Sequence, residues 1–220
     1  PHAPAARAAL DMAMHDLLAR HLGVAVVDLL GRAHEALPTS VTIGILPVEE
    51  AVERARAHVA AGFRALKVKL GRFIEEDIER LRRIREAVGQ GAAGRPVAIR
   101  ADANAGYAPA QLARLLAATA RCGIEFFEQP LPRDEDMALD ALPDEVRRRL
   151  AADESLHDEA DAWRLSGAGS RLSGACARYG IFSIKLMNCG GIASARRIAT
   201  IAECAGVDLM WSCMDESVIG

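Results

Sequence analysis

Short runs of β-branched and apolar residues alternate with longer segments of helical periodicity from residue 39 onward. Between the second and third runs, apolar residues recur every three or four positions from Ile74 to Val88, as on a helix with one buried face. Strands alternating with helices in this way are typical of parallel βα units. Seven strands are predicted, at residues 41–46, 65–70, 97–101, 124–127, 150–153, 182–186 and 207–212.

A separate amphipathic helix precedes this alternation. It is predicted at Pro4–Leu22, with Gly23 as its end, and its apolar positions are Leu10, Met14, Leu17 and Leu18. We expect this helix to lie outside the sheet. The chain therefore divides into residues 1–38, a helix and a linker, and residues 39–220, the βα units.

Seven consecutive βα units are compatible with a doubly wound sheet or with an eight-stranded barrel that lacks one unit. A barrel carries its functional groups at the carboxyl ends of many strands, whereas a doubly wound sheet concentrates them near one switch point, commonly beside a glycine-rich loop. This chain has no GxGxxG motif, and charged residues accompany nearly every predicted strand. The predicted fold class is therefore α/β, a (β/α)8-type TIM barrel without its eighth strand.

The charge balance and the length of the apolar runs limit the kinds of molecule that the protein is expected to bind. The 220 residues include 27 Lys and Arg against 30 Asp and Glu, and the basic residues are spread along helical segments, so nucleic acid is excluded as a partner. No apolar run is long enough for a membrane span, and the first residues lack the pattern of a signal peptide. We expect a cytoplasmic homo-oligomer that binds a small-molecule substrate and no membrane.

Three carboxylates stand at the ends of three successive predicted strands. Asp102, Glu128 and Asp153 are each one βα unit apart, so in a barrel they would converge at one rim. Like charges held so close raise one another's pKa, which implies a cation, and oxygen ligands suit Mg²⁺ or Mn²⁺ better than Zn²⁺. The alternative is that each acid caps the helix that follows it.

Lysines form the second group of charged strand residues. Lys67 and Lys69 lie two apart, so both point to one face of their strand, where repulsion and burial would lower the pKa of one enough for a base near pH 7. Lys185 belongs to the sixth strand, opposite the second in an eight-stranded barrel. Lys69 and Lys185 would then remove a proton from one face of a carbon and return it on the other. Mg²⁺ acidifies the α-proton of a bound carboxylate by stabilising the enediolate, so racemisation or epimerisation is predicted.

Taken in order, these motifs resemble the enolase superfamily, and within it the muconate-lactonizing branch that includes the dipeptide epimerases. The resemblance covers nearly the whole chain. The matching segments are Lys67-Val-Lys69, Asp102-Ala-Asn104, Glu128-Gln-Pro130, Ala152-Asp-Glu-Ser155, Ile184-Lys185-Leu, Cys189-Gly-Gly191 and Cys213-Met-Asp-Glu-Ser217.

The resemblance implies a role for each matching position. Asp102, Glu128 and Asp153 would bind Mg²⁺, and Lys69 and Lys185 would be the acid/base pair. Lys67 would lie near the substrate carboxylate. The positions implied to contact substrate are Thr42, Cys213, Met214 and Asp215, and those implied to support the metal ligands are Asn104 and Glu154.

The substrate class is a narrower question. The Thr-Ile-Gly first strand and the Cys-Met-Asp-Glu-Ser run are most similar to dipeptide epimerases of the L-Ala-D/L-Glu type, which invert the α-carbon of the C-terminal residue of a dipeptide. Muconate cycloisomerase, o-succinylbenzoate synthase and amino-acid racemases share the same metal and lysine set and stay open as alternatives. If Asp215 lines the pocket, its charge favours a substrate with a cationic group over one with a second carboxylate.

The resemblance also predicts segments beyond this chain. The family's N-terminal capping domain is represented only by residues 1–38, and the region that carries the family's Asp-x-Asp motif for the dipeptide ammonium would follow the seventh strand. We therefore expect a longer gene product. A catalytically inactive metal-binding barrel is the remaining alternative, and the presence of all five metal and acid/base positions argues against it.

Overall fold

The computed structural model describes residues 3–89, 96–167 and 177–214. They form two compact units. The first unit is the continuous stretch Pro38–Ser155, and the second combines the described residues before it with those after it. Within these described ranges, no helix is both long enough and apolar enough to cross a membrane.

The helices and strands follow the predicted alternation. The second unit begins with α1 Pro4–Leu22 and α2 Val26–Leu30. The first unit contains β1 Ser40–Ile43, α3 Val48–Ala60, β2 Ala65–Lys69, α4 Ile74–Val88, β3 Ala98–Asp102, α5 Pro109–Ala118, β4 Ile124–Glu128, a 3-10 helix Arg133–Ala141, α6 Asp144–Arg147 and β5 Leu150–Ala152. The second unit continues with α7 Glu159–Leu165, β6 Ile181–Lys185, α8 Leu186–Cys189, α9 Ile192–Ala205 and β7 Asp208–Ser212.

Parallel pairing in chain order characterises both units. In the first unit β1 to β5 are neighbours in sequence order, and in the second unit β6 pairs with β7. All seven predicted strands are confirmed in position. The first is shorter than expected, because it ends at Ile43, before Gly44 and Pro47, residues that are disfavoured inside strands.

The strands of the first unit have one apolar face and one charged face. The apolar positions are Leu66, Val68, Ile99, Ala101 and Phe127, and all are buried. The alternate positions on the other face carry Lys67, Lys69, Arg100, Asp102 and Glu128. Burial of each large apolar side chain contributes roughly 1.5–3 kcal/mol, so the apolar face fixes the register that brings the charged groups together.

Helix α1 has the predicted bounds but packs through a different face. Leu10 and Met14 of the expected apolar stripe are 71% and 65% exposed, and Leu17 and Leu18 are exposed as well, whereas Ala8 and Ala19 are buried. The leucine stripe is therefore not the face that packs against the other described residues. Helix α1 contacts both α8 and α9.

Candidate active site at the strand ends

Charged groups meet at the carboxyl ends of β2, β3, β4 and β5. Lys69, Asp102 and Glu128 are the last residues of their strands and are register partners of one another in sequence order. Asp153 directly follows β5. Asp102 and Glu128 are fully buried and Asp153 is 2% exposed, so three carboxyl groups are withdrawn from solvent on adjacent strand ends.

Two lysine ammonium groups compensate part of this negative charge. Lys67 Nζ lies 2.9 Å from Asp102 Oδ2 and 2.7 Å from Glu128 Oε2. Lys69 Nζ lies 2.7 Å from the same Asp102 oxygen and donates a hydrogen bond of 2.9 Å to Asn104 Oδ1. Asp102 is therefore shared between both lysines, whereas Glu128 is paired with Lys67.

Burial and neighbouring charges displace the pKa values of this cluster. Burial, reinforced by Asp102 and Asp153, raises the pKa of Glu128 to about 7, although Lys67 acts in the opposite direction. Burial also tends to raise the pKa of Asp102, but Lys67 and Lys69 outweigh it and hold that pKa below its usual value. The cluster therefore contains a carboxyl group whose negative charge is incompletely compensated.

The direction for Lys67 differs from the sequence argument. Two neighbouring lysines were expected to lower the pKa of one of them. Burial does act to lower the pKa of Lys67, but the Glu128 and Asp102 carboxylates outweigh burial and raise it above its ordinary value. The carboxylates of the neighbouring strands, within 2.9 Å of Lys67 Nζ, therefore hold Lys67 as an ammonium.

The alternative in which each acid caps the following helix is wrong. The helical segments after Asp102, Glu128 and Asp153 begin after Ala108, Pro132 and Asp158. Asp158 itself accepts the capping hydrogen bond from the Asp161 backbone N–H, at 2.9 Å. None of the three strand-end acids is therefore the N-cap residue of the helical segment that follows it.

Asn104 joins the cluster to Glu154. Its backbone N–H donates to Asp102 Oδ1 at 3.1 Å, and its side-chain amide donates to Glu154 Oε1 at 3.1 Å. The side-chain oxygen of Asn104, Oδ1, accepts the hydrogen bond from Lys69 Nζ. Asn104 has φ +44°, a left-handed conformation that asparagine tolerates better than most residues. Its side chain is therefore aimed at both Lys69 and Glu154.

Gln129 is a structural organiser that sequence reasoning missed. It is fully buried with φ +34°, and its Oε1 atom accepts from the backbone N–H groups of Asp153 and Ser155, at 2.9 and 3.0 Å. Its Nε2 atom donates to Leu131 O and to Ser155 Oγ, both at 2.8 Å. Gln129 thereby ties the segment that carries Asp153 to the end of β4. The only sequence signal was its place in the Glu128-Gln-Pro130 motif.

A buried network that the sequence argument also missed lies beside the cluster. Asp77 Oδ2 accepts from Gly71 N at 3.0 Å and from the Tyr107 hydroxyl at 2.7 Å, while Arg80 bonds Asp77 and also donates to Leu46 O. Burial and the Asp77 charge raise the pKa of Tyr107, so its hydroxyl remains a donor. Asp77 lies in the acidic first turn of α4, and a carboxylate at such a position is expected to face solvent. The sequence pattern therefore gave no sign that Asp77 is buried and bonded to Tyr107.

That network joins the loop after Lys69 to the loop after Asp102. Gly71 has φ +102°, and a Cβ atom there would lie 2.3 Å from Ala103 O. A Cβ atom on Gly106 would lie 2.6 Å from the Gly71 Cα. Glycine is therefore required at both positions, because the two loop backbones touch.

The other site residues that the family resemblance implies lie on β1, at the end of β6 and after β7. Thr42 is exposed on β1, where it is the register partner of Lys67. Lys185 is the last residue of β6 and is half-buried, and Cys213 and Met214 are exposed after β7. These three belong to the second unit. Asp215 lies outside the described residues.

The donor set suits a hard divalent cation in its chemistry. Among the residues that the structure describes, no three acidic, imidazole or thiol groups are arranged to hold a metal ion together. The Lys67 ammonium lies between Asp102 and Glu128. All the candidate donors are buried carboxylates, and burial, together with the charges of Asp102 and Asp153, raises the pKa of Glu128. Oxygen donors of this kind fit Mg²⁺.

Residues 50–220 match the family described as enolase C-terminal domain-like, and residues 2–31 match the mandelate racemase / muconate lactonizing enzyme N-terminal domain. The chain belongs to the enolase superfamily. The family resemblance carried by the strand-end motifs is therefore confirmed, as is the barrel-type parallel α/β fold class.

Several relatives that the chain matches are named dipeptide epimerases. An L-Lys-D/L-Arg epimerase from Methylococcus capsulatus is 58% identical over 219 residues, which are 100% of this chain and 58% of the relative. A hydrophobic dipeptide epimerase from Enterococcus faecalis is 36% identical over 219 residues, 99% of this chain and 58% of the relative. This superfamily member thus spans about 58% of the length of these relatives.

A solved structure has the same fold. The Methylococcus capsulatus dipeptide epimerase, complexed with Mg and the dipeptide L-Arg-D-Lys, superposes with a TM-score of 0.89 at 57% identity. The match covers 99% of this chain and 58% of that one.

Proposed function

We propose that the protein is a Mg²⁺-dependent epimerase that inverts the α-carbon of the C-terminal residue of a dipeptide. The observation that carries this proposal is the cluster of three buried carboxyl groups and two lysines at adjacent strand ends. The 58% identity with an L-Lys-D/L-Arg epimerase supports the same conclusion.

Asp102, Glu128 and Asp153 are the proposed ligands of Mg²⁺, and Asn104 and Glu154 support them through the Asn104 hydrogen bonds. When bound, Mg²⁺ stabilises the negative charge that develops on the substrate carboxylate as the α-proton leaves. Lys67, the more deeply buried of the two neighbouring lysines, is proposed to contact that carboxylate.

Lys69 and Lys185 are the proposed acid/base groups. The Lys69 ammonium has three N–H donors, and Asp102 and Asn104 accept two of them, which leaves the third for exchange with the substrate carbon. Lys185 ends β6 as Lys69 ends β2. We propose that each lysine transfers the proton on one face of the α-carbon, through an enediolate intermediate.

Lysine usage in the chain supports this assignment. Lys67, Lys69 and Lys185 are the three lysines of the sequence, and every other strongly basic residue is arginine. Arginine is effectively always protonated and does not serve as a general base at neutral pH. Two of the three lysines, Lys69 and Lys185, thus stand at the positions where the proposal needs an amine that can lose its proton.

The proposed substrate is a dipeptide with a cationic side chain. Two features support it, the relative named L-Lys-D/L-Arg epimerase and the negative charge of Asp215 next to the implied contacts Cys213 and Met214. Thr42 is the proposed contact from β1. The homo-oligomer and the cytoplasmic location expected from the sequence stay predictions.

Proton exchange at the α-carbon tests the proposal. The full-length protein is incubated with Mg²⁺ in D₂O and separate L,L- and L,D-dipeptides, and loss of the α-proton signal is followed by NMR. We expect Mg²⁺-dependent exchange from both epimers of a Lys- or Arg-containing dipeptide. Lys69→Ala should lose exchange from one epimer and Lys185→Ala from the other, while both lose epimerisation.

Two outcomes would contradict the proposal. Bound Mg²⁺ without exchange in any dipeptide would favour a cycloisomerase or synthase of the same branch. A protein that does not bind Mg²⁺ would favour the inactive barrel. Asp134→Asn, an exposed carboxylate outside the motifs, is the control and should exchange like the wild type.

A further inference from the structure

Helix α9 lacks a side-chain cap of its own. Its N-cap residue is Gly191, which has no side chain to accept a hydrogen bond. The first backbone N–H groups of a helix need acceptors, and a carboxylate suits them because the N-terminus of a helix carries positive partial charge. The acceptor here comes from elsewhere in the chain.

Asp11 on α1 supplies this cap. Its Oδ2 atom accepts from Ile192 N at 2.6 Å and from Ala193 N at 3.4 Å, and the side chain is 19% exposed. A residue 181 positions away in the sequence thus takes the place of a local N-cap.

Arg7, one turn earlier on α1, holds the preceding helix. Its guanidinium donates to Cys189 O at 3.0 Å, at the end of α8. Arg7 and Asp11 together bond both sides of the Gly190–Gly191 pair. We call these two residues the α1 brace.

The glycine pair is shaped for this contact. Gly190 and Gly191 have φ +88° and +112°, and a Cβ atom at Gly190 would lie 2.3 Å from Arg7 Nε. A Cβ atom at Gly191 would lie 2.6 Å from the Asp11 side chain. The Cys189-Gly-Gly191 motif is therefore the surface on which α1 rests.

The segment held by the brace begins at Lys185. Lys185 is the N-cap of α8, so no linker separates the end of β6 from the helix, and α8 ends at Cys189. Gly190 N and Gly191 N both bond back to Leu186 O, at 3.0 and 2.9 Å. The turn is closed on itself, so a shift at its glycine end is transmitted to Lys185.

We propose that Arg7 and Asp11 are positioning residues for Lys185, and that the α1 brace sets the direction of this proposed acid/base group. The inference rests on the proposed epimerase function. Misplacing a catalytic group by about 1 Å costs up to about a hundredfold in rate. Loss of the brace should therefore affect proton transfer at the Lys185 face and spare the Lys69 face.

Asp11→Asn and Asp11→Ala in the full-length protein test the proposal, with Asp16→Asn as the matched control. Asp16 lies on the same helix and its charge pairs with Arg20. The first measurement is amide hydrogen exchange of residues 186–193, which does not depend on activity. We expect the Ile192 and Ala193 amides to exchange about fivefold faster in Asp11→Ala, with a smaller effect in Asp11→Asn.

The second measurement is α-proton exchange from each epimer. We expect about a tenfold loss for the epimer whose exchange requires Lys185, as identified with Lys185→Ala, and less than about a twofold change for the other. Equal losses for both epimers would mean that the brace is only structural. Unchanged amide exchange in both Asp11 variants would mean that no brace exists.

Failure of the epimerase proposal is distinguishable from failure of this inference. A wild type without α-proton exchange refutes the proposed function, and the positioning role with it, whatever the amide exchange reveals about the brace. A wild type with exchange from both epimers and an unaffected Asp11→Ala variant refutes the positioning role alone.

Discussion

Three residues with side chains adopt left-handed backbone conformations near the strand ends. Asn104 and Ala105 have φ +44° and +59°, and Gln129 has φ +34°. This conformation costs roughly 1–2 kcal/mol for residues other than glycine, and asparagine is the usual exception. Ala105 has no polar side chain to offset the cost, and it is held there by the bond from its N–H to Gln129 O, at 2.7 Å.

Ala105→Gly is therefore expected to stabilise the protein. Glycine relieves the strain at positive φ, and the gain exceeds the entropy it adds to the unfolded chain, so the free energy of unfolding should rise by about 0.5–1 kcal/mol. Urea denaturation measures the change. The matched control is Ala113→Gly, at an exposed position inside α5, where the same substitution should cost about 1 kcal/mol. Destabilisation by both variants to a similar extent would contradict the strain at Ala105.

Tyr107→Phe should destabilise the protein through Asp77. The substitution removes the hydroxyl that donates to Asp77 Oδ2 and leaves a fully buried carboxylate with one donor fewer. The expected cost is about 1–3 kcal/mol in urea denaturation. A double-mutant cycle with Asp77→Asn isolates the pair, and a coupling energy near zero would show that the bond contributes nothing.

The sequence was sufficient to predict the charged residues of the candidate site, but not the buried residues that hold the adjoining loops in place. Lys69, Asp102 and Glu128 were found because strand ends and one-unit spacing follow from periodicity alone. Asp77 and Gln129 were missed because a polar residue on a helix or after a strand looks solvated until a partner distant in sequence covers it. For Asp77 that partner is Tyr107, 30 residues away, and the local sequence pattern gives no sign of it.

At the scale of elements, α7 and α9 are linked by one carboxylate. Glu159 on α7 accepts from Ser194 Oγ at 3.0 Å and from the Arg197 guanidinium, both on α9. Burial tends to raise the pKa of Glu159, but a backbone hydrogen bond, Arg197 and Ser194 outweigh it and lower the pKa below its usual value. A lowered carboxyl pKa favours the folded state above the unfolded-state pKa, and this contribution is lost as the pH falls.

The stability difference between wild type and Glu159→Gln should therefore depend on pH. At pH 7 we expect the variant to be less stable by about 0.5–1 kcal/mol, a typical value for a partly exposed pair. At a pH well below the lowered pKa of Glu159 the two proteins should converge, because Glu159 is then protonated in the folded wild type as well. Urea midpoints at both pH values provide the measurement. Glu203→Gln, an exposed position on α9, is the matched control.

Helices and strands were predictable to different extents. All seven strands and the long helices α1 and α4 follow from period and from proline and glycine positions. The four-residue helices α6 and α8 did not, since an element of about one turn has no periodicity to detect. The packed face of α1 was also missed, because its contacts depend on Ala8, Arg7 and Asp11 rather than on its leucines.

For the molecule as a whole, the proposed metal site predicts linkage between Mg²⁺ and stability. A ligand that binds only the folded state stabilises it in proportion to the logarithm of its concentration above Kd, about 2.7 kcal/mol at one hundred times Kd. We expect millimolar Mg²⁺ to raise the Tm of the full-length wild type and to leave that of Asp153→Asn unchanged. Asp134→Asn, the exposed control, should respond like the wild type. A Tm independent of Mg²⁺ in all three proteins would contradict the site.

The contact between Asp11 and Ile192 also dictates an order of events during synthesis. The stretch Pro38–Ser155, which carries Lys69 and the proposed metal ligands, is continuous and can pack as soon as it leaves the ribosome. Helix α1 is synthesised before this stretch, but its partner Ile192 follows 181 residues after Asp11. At typical translation rates the delay between the two is on the order of ten seconds. Closing so long a loop is entropically costly, so this docking is a late event. The nascent chain is therefore expected to fold the stretch that carries the proposed metal ligands before α1 and α9 meet and set the proposed position of Lys185.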